Sequence, residues 1–242
     1  MSNVMDPDRI YLDSEECCKA VRRETGHVAM LAFSRGKDAI ATWLQLRRFF
    51  DEVRPIWFYL VPGLEFEEES VDYFERVFQT KIRKLPHPSV NRLLNSLVFQ
   101  PPGNCAVIEA AQLPEFTYAE AFAEYAEDLG LPEDLPYATG VRATDSPMRR
   151  ISYMKHGLWR RGKHMWLPIG DWNKARTLQA IKDAGIELPV DYQWFKRSFD
   201  GIDYRFIAPL RQHAPRDFQR VLEFFPLIEA DLFRYEKMGF KP

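Results

Sequence analysis

Between His27 and Leu85 the apolar pattern switches repeatedly between two periods, and this alternation restricts the fold more than any other feature of the chain. His27 to Phe33 is a short run with few polar breaks, as expected for a strand buried on both faces. From Lys37 to Phe50 the spacing becomes helical, with Ile40, Trp43, Leu44 and Leu46 to Phe50. Pro55 marks a break, and Ile56 to Val61 forms a second apolar run. Glu65 to Thr80 is helical again, with Val71, Phe74, Val77 and Phe78 on one stripe. Lys81 to Leu85 is a third strand candidate, ended by Pro86 and Pro88. Strand, helix, strand, helix, strand predicts an α/β fold built on an open parallel sheet.

The flanking segments carry their own signals. Asp13-Ser14-Glu15-Glu16 is a helix start with Asp13 as cap, and Gly26 ends that helix after Thr25. Val90 to Val98 predicts a helix, Gln100 to Asn104 a loop, and Ala106 to Ala110 either strand or helix. Tyr118 to Leu129 is an acidic helix and Tyr137 to Arg142 a strand. Ser146, followed by Pro147, caps the next helix. Asp171 is expected to cap a helix over Trp172 to Ala184, with Trp172 packed beneath it. Asp217 to Lys237 is one helix or two, divided at Pro226. Without a repeat or a linker, the expectation is a single domain over residues 1–242. Its core would span about 25–205, with a C-terminal helical extension at about 206–242.

Composition narrows the function classes. Of 242 residues 46% are hydrophobic and 28% charged, ordinary for a packed core. The apolar runs fall well short of the ~20 residues that cross a bilayer, and Met1 to Arg9 lacks a secretory pattern. The expectation is a cytoplasmic chain with no membrane association. Cys17, Cys18 and Cys105 form no CxxC pair, so neither a disulfide framework nor an iron–sulfur cluster is expected. The five histidines show no metal-ligand spacing, so no resident metal is expected, and Mg²⁺ would arrive with a nucleotide.

Net charge is −2 but unevenly spread. Glu109 to Asp134 holds eight acidic residues and no Lys or Arg, the pattern of a solvated helix face. Thr139 to Arg176 holds nine Lys or Arg against two Asp, interleaved with Trp159, Trp166 and Trp172. Such a segment suits an anionic partner, nucleic acid included, with the tryptophans either stacking on bases or filling a core. His156 and His164 flank its most basic run. Oligomeric state is not set by the sequence, and a homodimer stays open.

The loop Ser34-Arg35-Gly36-Lys37-Asp38 follows the first strand and opens a helix. In open α/β sheets ligands bind beyond the carboxyl ends of strands, and a helix N-terminus attracts phosphate through free amides and its dipole. Gly36 permits close backbone approach, Ser34 offers a hydroxyl, and Arg35 and Lys37 offer charge. Asp38 suits a bound Mg²⁺ or a helix start. The same residues would also make a plain strand-to-helix turn. The loop is neither a Walker motif nor a dinucleotide fingerprint.

Ser34-Arg35-Gly36-Lys37-Asp38-Ala39 resembles the SxGKDS loop of the PP-loop superfamily, and most of all its phosphoadenosine phosphosulfate (PAPS) reductase-like group. Pro62-Gly63-Leu64-Glu65-Phe66 is similar to the TGxEF segment of that group. Gly140-Val141-Arg142, with Ser146 and Arg149, is similar to its GxRxxxS…R segment. Pro168-Ile169-Gly170-Asp171-Trp172, with Gly185-Ile186 and Pro189 to Tyr192, is similar to its PIxDW…GI…P..Y segment. The resemblance covers about residues 25–205. It implies a Rossmann-like, adenine nucleotide alpha hydrolase-like fold. It also implies phosphate binding by Ser34, Arg35, Gly36, Lys37, Asp38, Gly63, Glu65, Gly140, Arg142 and Arg149, with Lys37, Asp38 and Arg142 in the chemistry. Arg142 and Arg149 could instead pair with the acidic helix near Glu120 to Asp128.

The chain departs from the group at Ala39, where a serine is usual, and at Pro62, where a threonine is usual. The segment Ala230 to Pro242 also lacks the nucleophilic cysteine of true reductases. The expected activity is therefore ATP pyrophosphatase or adenylyl transfer to an unknown acceptor, with ATP or PAPS as the nucleotide. The alternatives are a sulfonucleotide reductase that borrows a thiol and a non-catalytic nucleotide-binding subunit of a nucleic-acid-modifying complex.

Overall fold

A computed structural model describes residues 9–239. The N-terminal segment assessed for a secretory pattern therefore lies, Arg9 excepted, outside the described residues. In chain order the elements are α1 (Ser14–Thr25), β1 (Val28–Ala32), α2 (Lys37–Arg47), β2 (Glu52–Tyr59), α3 (Glu65–Phe78) and β3 (Arg83–Pro86). Then come α4 (Pro88–Asn95), α5 (Pro102–Ala111), α6 (Tyr118–Asp128), β4 (Tyr137–Ala138), α7 (Pro147–His156), β5 (Trp159–Arg160) and β6 (Met165–Trp166). The chain closes with α8 (Lys174–Asp183), α9 (Asp191–Trp194), α10 (Tyr204–His213), α11 (Pro215–Phe224) and α12 (Ile228–Lys237).

The fold is α/β, with one sheet in the order β3-β2-β1-β4-β6-β5. Its pairs β1–β4, β2–β3 and β4–β6 are parallel and its edge pair β5–β6 is antiparallel. The helix caps follow the sequence. Asp13 accepts from the Glu16 amide at 2.8 Å, Gly26 takes φ 89° after α1, and Ser146 accepts from the Arg149 amide at 3.2 Å. Ala106 to Ala110, left open by periodicity, is helical within α5.

Some boundaries differ from expectation. β2 begins at Glu52 and runs through Pro55 instead of starting after it. The ladder with β3 starts only at Ile56, so on that side the missing proline N–H is not called on. β4 is two residues long. Beyond it Arg142 accepts no strand partner and instead leads a 3₁₀ turn over Ala143–Asp145. The hairpin β5–β6 has no local sequence signal, because two-residue strands are shorter than any readable period. The helix after Asp171 is capped by Asn173, which accepts from the Arg176 amide at 2.8 Å. Asp171 instead accepts from the Ser14 amide at 3.3 Å and from the Ser14 hydroxyl.

The chain divides into two compact units. One holds the chain up to Phe33 with residues 37–55 and 119–187. Its core has Met30, Leu31, Ile40 and Leu46 fully enclosed, and Phe122 stacked on Tyr137 with ring centres 4.5 Å apart. Trp159, Trp166 and Trp172 are all buried there, so the tryptophans of the basic segment serve the core. The other unit holds residues 34–36, 56–118 and 188 onward. Val61, Leu64 and Phe66 share one cluster with Phe206, Phe218, Val221, Phe225, Ile228 and Leu232. At about 1.5–3 kcal/mol per buried side chain, this cluster makes α10 to α12 an integral part of that unit's core. Among the described residues no helix is long and apolar enough to cross a membrane.

Candidate functional site

The loop after β1 turns sharply. Arg35 adopts φ 60°, in the left-handed region that a side chain ordinarily avoids. Ser34 is exposed, while Arg35 and Gly36 are buried. The Arg35 guanidinium lies between two buried carboxylates. It donates to Glu67, and to Asp191 Oδ1 and Oδ2 at 3.2 and 3.3 Å. The rings of Trp57 and Phe66 lie 5.6 and 5.7 Å from it. Asp191 also accepts from the Phe199 amide at 2.8 Å. The positive charge of Arg35 is thus engaged inward and holds its turn in place. A Cβ at Gly36 would stand 3.1 Å from the Ser198 hydroxyl, which leaves little room for a side chain there.

Lys37 and Asp38 form the first turn of α2. Lys37 Nζ donates to Asp38 Oδ2 at 2.6 Å. Asp38 Oδ1 stands 3.0 Å from Arg142 Nε, an ion-pair distance without hydrogen-bond alignment; both atoms are buried and lack a hydrogen-bond partner. Arg142 in turn donates to Asp145 at 2.6 Å and to the Thr177 hydroxyl at 3.3 Å. Arg149, exposed on α7, reaches the other oxygen of Asp145 at 2.9 Å. Neither arginine pairs with the acidic helix α6; their partners are Asp38 and Asp145. The backbone at Gly140 lies against this turn so closely that a Cβ there would sit 2.8 Å from the Asp38 carbonyl carbon. Lys37, Asp38, Gly140, Arg142 and, through Asp145, Arg149 therefore form one cluster.

Gly63 and Glu65 lie in the other unit, at the start of α3. The local cap residue is Leu64, whose side chain makes no hydrogen bond. Asp217 supplies the cap, accepting from the Glu65 and Phe66 amides at 2.6 and 3.2 Å. Arg220 donates to the Pro62 carbonyl at 3.0 Å and lies beside Gly63. A carboxylate of the chain itself thus occupies this helix start. The Glu65 side chain is exposed, 3.9 Å from Arg216.

No protein-family model matches the chain, and no curated protein matches it either. Several solved structures are similar in outline, and one of them is an NH3-dependent NAD synthetase from Campylobacter jejuni subsp. jejuni in complex with nitrate. The likeness covers 95% of this chain and 96% of that one, at 12% identity and a TM-score of 0.42. At that identity no residue role transfers.

Several members of these clusters are absent from the sequence-derived set. Asp145 could have been found, since it stands three residues after Arg142 and four before Arg149. Glu67, Asp191, Thr177, Ser198 and Asp217 leave no local signal. The cysteines are poorly placed for chemistry. Cys17 and Cys18 are fully buried, and burial pushes both thiols up, Cys18 to about 12. Cys105 is half-buried on α5, its Sγ 3.5 Å from the Pro101 carbonyl. Among the described residues no group of three or more His, Cys, Asp or Glu side chains could hold a metal ion.

Proposed function

We propose that this chain is an adenine-nucleotide-binding enzyme of the PP-loop type, of the PAPS reductase-like group, that cleaves ATP between its α- and β-phosphates. The observation that carries the reading is the meeting of two segments far apart in sequence. Gly140 abuts the first turn of α2 and Arg142 is paired with Asp38 within it. These are the segments whose sequences resemble the phosphate-binding parts of that superfamily. The positive φ at Arg35 adds support, because strained turns cluster at functional sites and anion-binding concavities are built from such turns.

In this reading the amides at the start of α2, with Ser34 and Gly36, bind the pyrophosphate portion. Lys37 turns from Asp38 toward the phosphates and neutralises charge that develops on the leaving pyrophosphate. Arg142, and Arg149 at the rim, grip a further phosphate; three cations face two carboxylates in the cluster, leaving net attraction for an anion. Arg35 acts through the backbone of its turn. The resemblance implies nucleotide contacts at Gly63 and Glu65 as well. Asp38 Oδ1 faces Arg142 Nε at 3.0 Å, so a nucleotide-borne Mg²⁺ would be held through Oδ2 once Lys37 has turned away from it; Mg²⁺ needs only one or two protein carboxylates beside phosphates. Bound there, the ion would offset phosphate charge. No side chain in the cluster is a ready general base, so catalysis rests on positioning. A reductase reading would need a thiol from Cys105 or a partner, and Cys105 lies half-buried on α5 with its Sγ on the Pro101 carbonyl, outside the cluster on α2.

The test is pyrophosphate release from ATP and Mg²⁺ in the presence of candidate acceptors, for the wild type and Lys37→Ala. Release that falls at least tenfold in the variant is expected, as is a higher melting temperature with ATP than without. No release and no shift, or the same values in both proteins, would remove the proposal.

A further inference from the structure

A strongly basic groove of the chain shares no residue with the cluster on α2. Arg9, Lys155, His156, Arg160, Arg161 and Lys163 line one open groove of about 480 Å³, and no carboxylate lines it. That volume is far above the ~30 Å³ of a single water, so it suits an extended ligand over a lone ion. Lys155 and His156 come from the last turn of α7. Arg160 to Lys163 come from the β5–β6 hairpin, at the sheet edge, where β5 is the outermost strand.

Two of these cations are already paired, Arg9 with Glu16 at 3.2 Å and Arg161 with Glu24. Lys155, Arg160 and Lys163 have no ion-pair partner among the described residues. Arg160 is the most telling of them. Its Nε is buried without an acceptor, and burial holds its pKa below the ordinary arginine value. A half-buried guanidinium without a counter-ion is costly unless an anion arrives. The hairpin tip is open as well: a Cβ at Gly162 would meet nothing within 4 Å.

We propose that this groove binds the phosphodiester backbone of a nucleic acid, through Lys155, Arg160 and Lys163. The tip Arg161-Gly162-Lys163-His164 has no apolar residue, and the one exposed apolar side chain of the groove is Ile10, too little to insert into a lipid surface, which favours a polyanion in water. Contact is made by cations to phosphates and not by stacked bases, because Trp166 and Trp172 are buried in the core and Trp159, though it lines the groove, is buried with Arg161 over its ring at 3.6 Å. Binding is therefore indifferent to sequence and steeply salt-dependent. The site stands independently of the nucleotide reading.

The experiment is fluorescence anisotropy with a short labelled DNA duplex of mixed sequence, and its single strand, across roughly 50 to 200 mM KCl. The wild type should bind at the low end, with log K falling linearly against log salt. Lys155→Gln/Arg160→Gln/Lys163→Gln should weaken binding at least tenfold and flatten the slope by about 2–3, near 0.9 per lost phosphate contact. Lys163→Gln alone, at an exposed tip, should take about one from the slope, and Lys163→Arg should restore it. An unchanged melting temperature checks that each variant folds. Lys37→Ala should bind DNA as the wild type does. Absence of binding at low salt, wild-type affinity in the triple variant, loss of binding in Lys37→Ala, or binding to phosphatidylglycerol vesicles but not to DNA would each overturn the assignment.

Discussion

The guanidinium of Arg35 donates to the carboxylate of Glu67, with both side chains out of contact with solvent. Burial raises the Glu67 carboxyl to about 7; the Arg35 charge opposes that rise and Asp191 adds to it. The folded chain therefore holds this proton more tightly than the unfolded chain, whose carboxyl titrates near 4.5. The resulting stabilisation is complete below about pH 4.5 and is lost as the pH rises through about 7. Urea unfolding of the wild type and Glu67→Gln across that window should give a stability difference that moves against the wild type as pH rises. A difference that is flat with pH would show that Glu67 does not titrate there.

Gly140→Ala should destabilise the protein by about 1–3 kcal/mol, because its methyl group would meet backbone atoms of Asp38 and Ala39 at 2.8–3.0 Å, and backbone cannot swing away. The melting-temperature rise caused by ATP should shrink at the same time. Gly103→Ala is the control, since nothing lies within 4 Å of its added carbon. Equal behaviour of the two variants would argue that the close approach at Gly140 is unimportant.

Arg142→Ala leaves Asp38 and Asp145 without their shared cation. A loss on the order of 3 kcal/mol is expected by denaturant titration, and Arg142→Lys should recover only part of it, since one ammonium cannot serve both carboxylates in the same fork. Adding Asp38→Asn to Arg142→Ala should cost less than the two single effects summed, because the pair between them is already broken while Lys37 still faces Asp38 in the single variant. Strictly additive effects in that cycle would refute the coupling.

Asp217→Ala removes the cap of α3 and should cost about 1–2 kcal/mol. Amide exchange at Glu65 and Phe66 is the local readout. It should accelerate in the variant more than exchange in α10, and identical protection at both amides would contradict the assignment.

Under native conditions a thiol alkylating reagent should modify Cys105 well before Cys17 and Cys18, which are fully buried and held as thiols. Peptide mapping after partial reaction reads this directly. Early labelling of Cys17 or Cys18 would place α1 differently from the fold described above.

The alternation of periods from His27 to Leu85 was enough to set the α/β class, the order of the five elements from β1 to β3 and the place of the loop after β1. Those signals are local: a cap, a stripe or a buried run is written within a few residues, as with Asp13, Ser146 and Gly26. The same sequence could not say that Arg35 turns inward to Glu67 and Asp191, that Arg142 pairs with Asp38, or that Asp217 caps α3. Nor could it place the tryptophans of the basic segment in the core while leaving Lys155, Arg160 and Lys163 along an open groove. Each of those outcomes joins residues distant in the chain, and an ion pair or a contact of that kind exists only once packing has brought its two halves together.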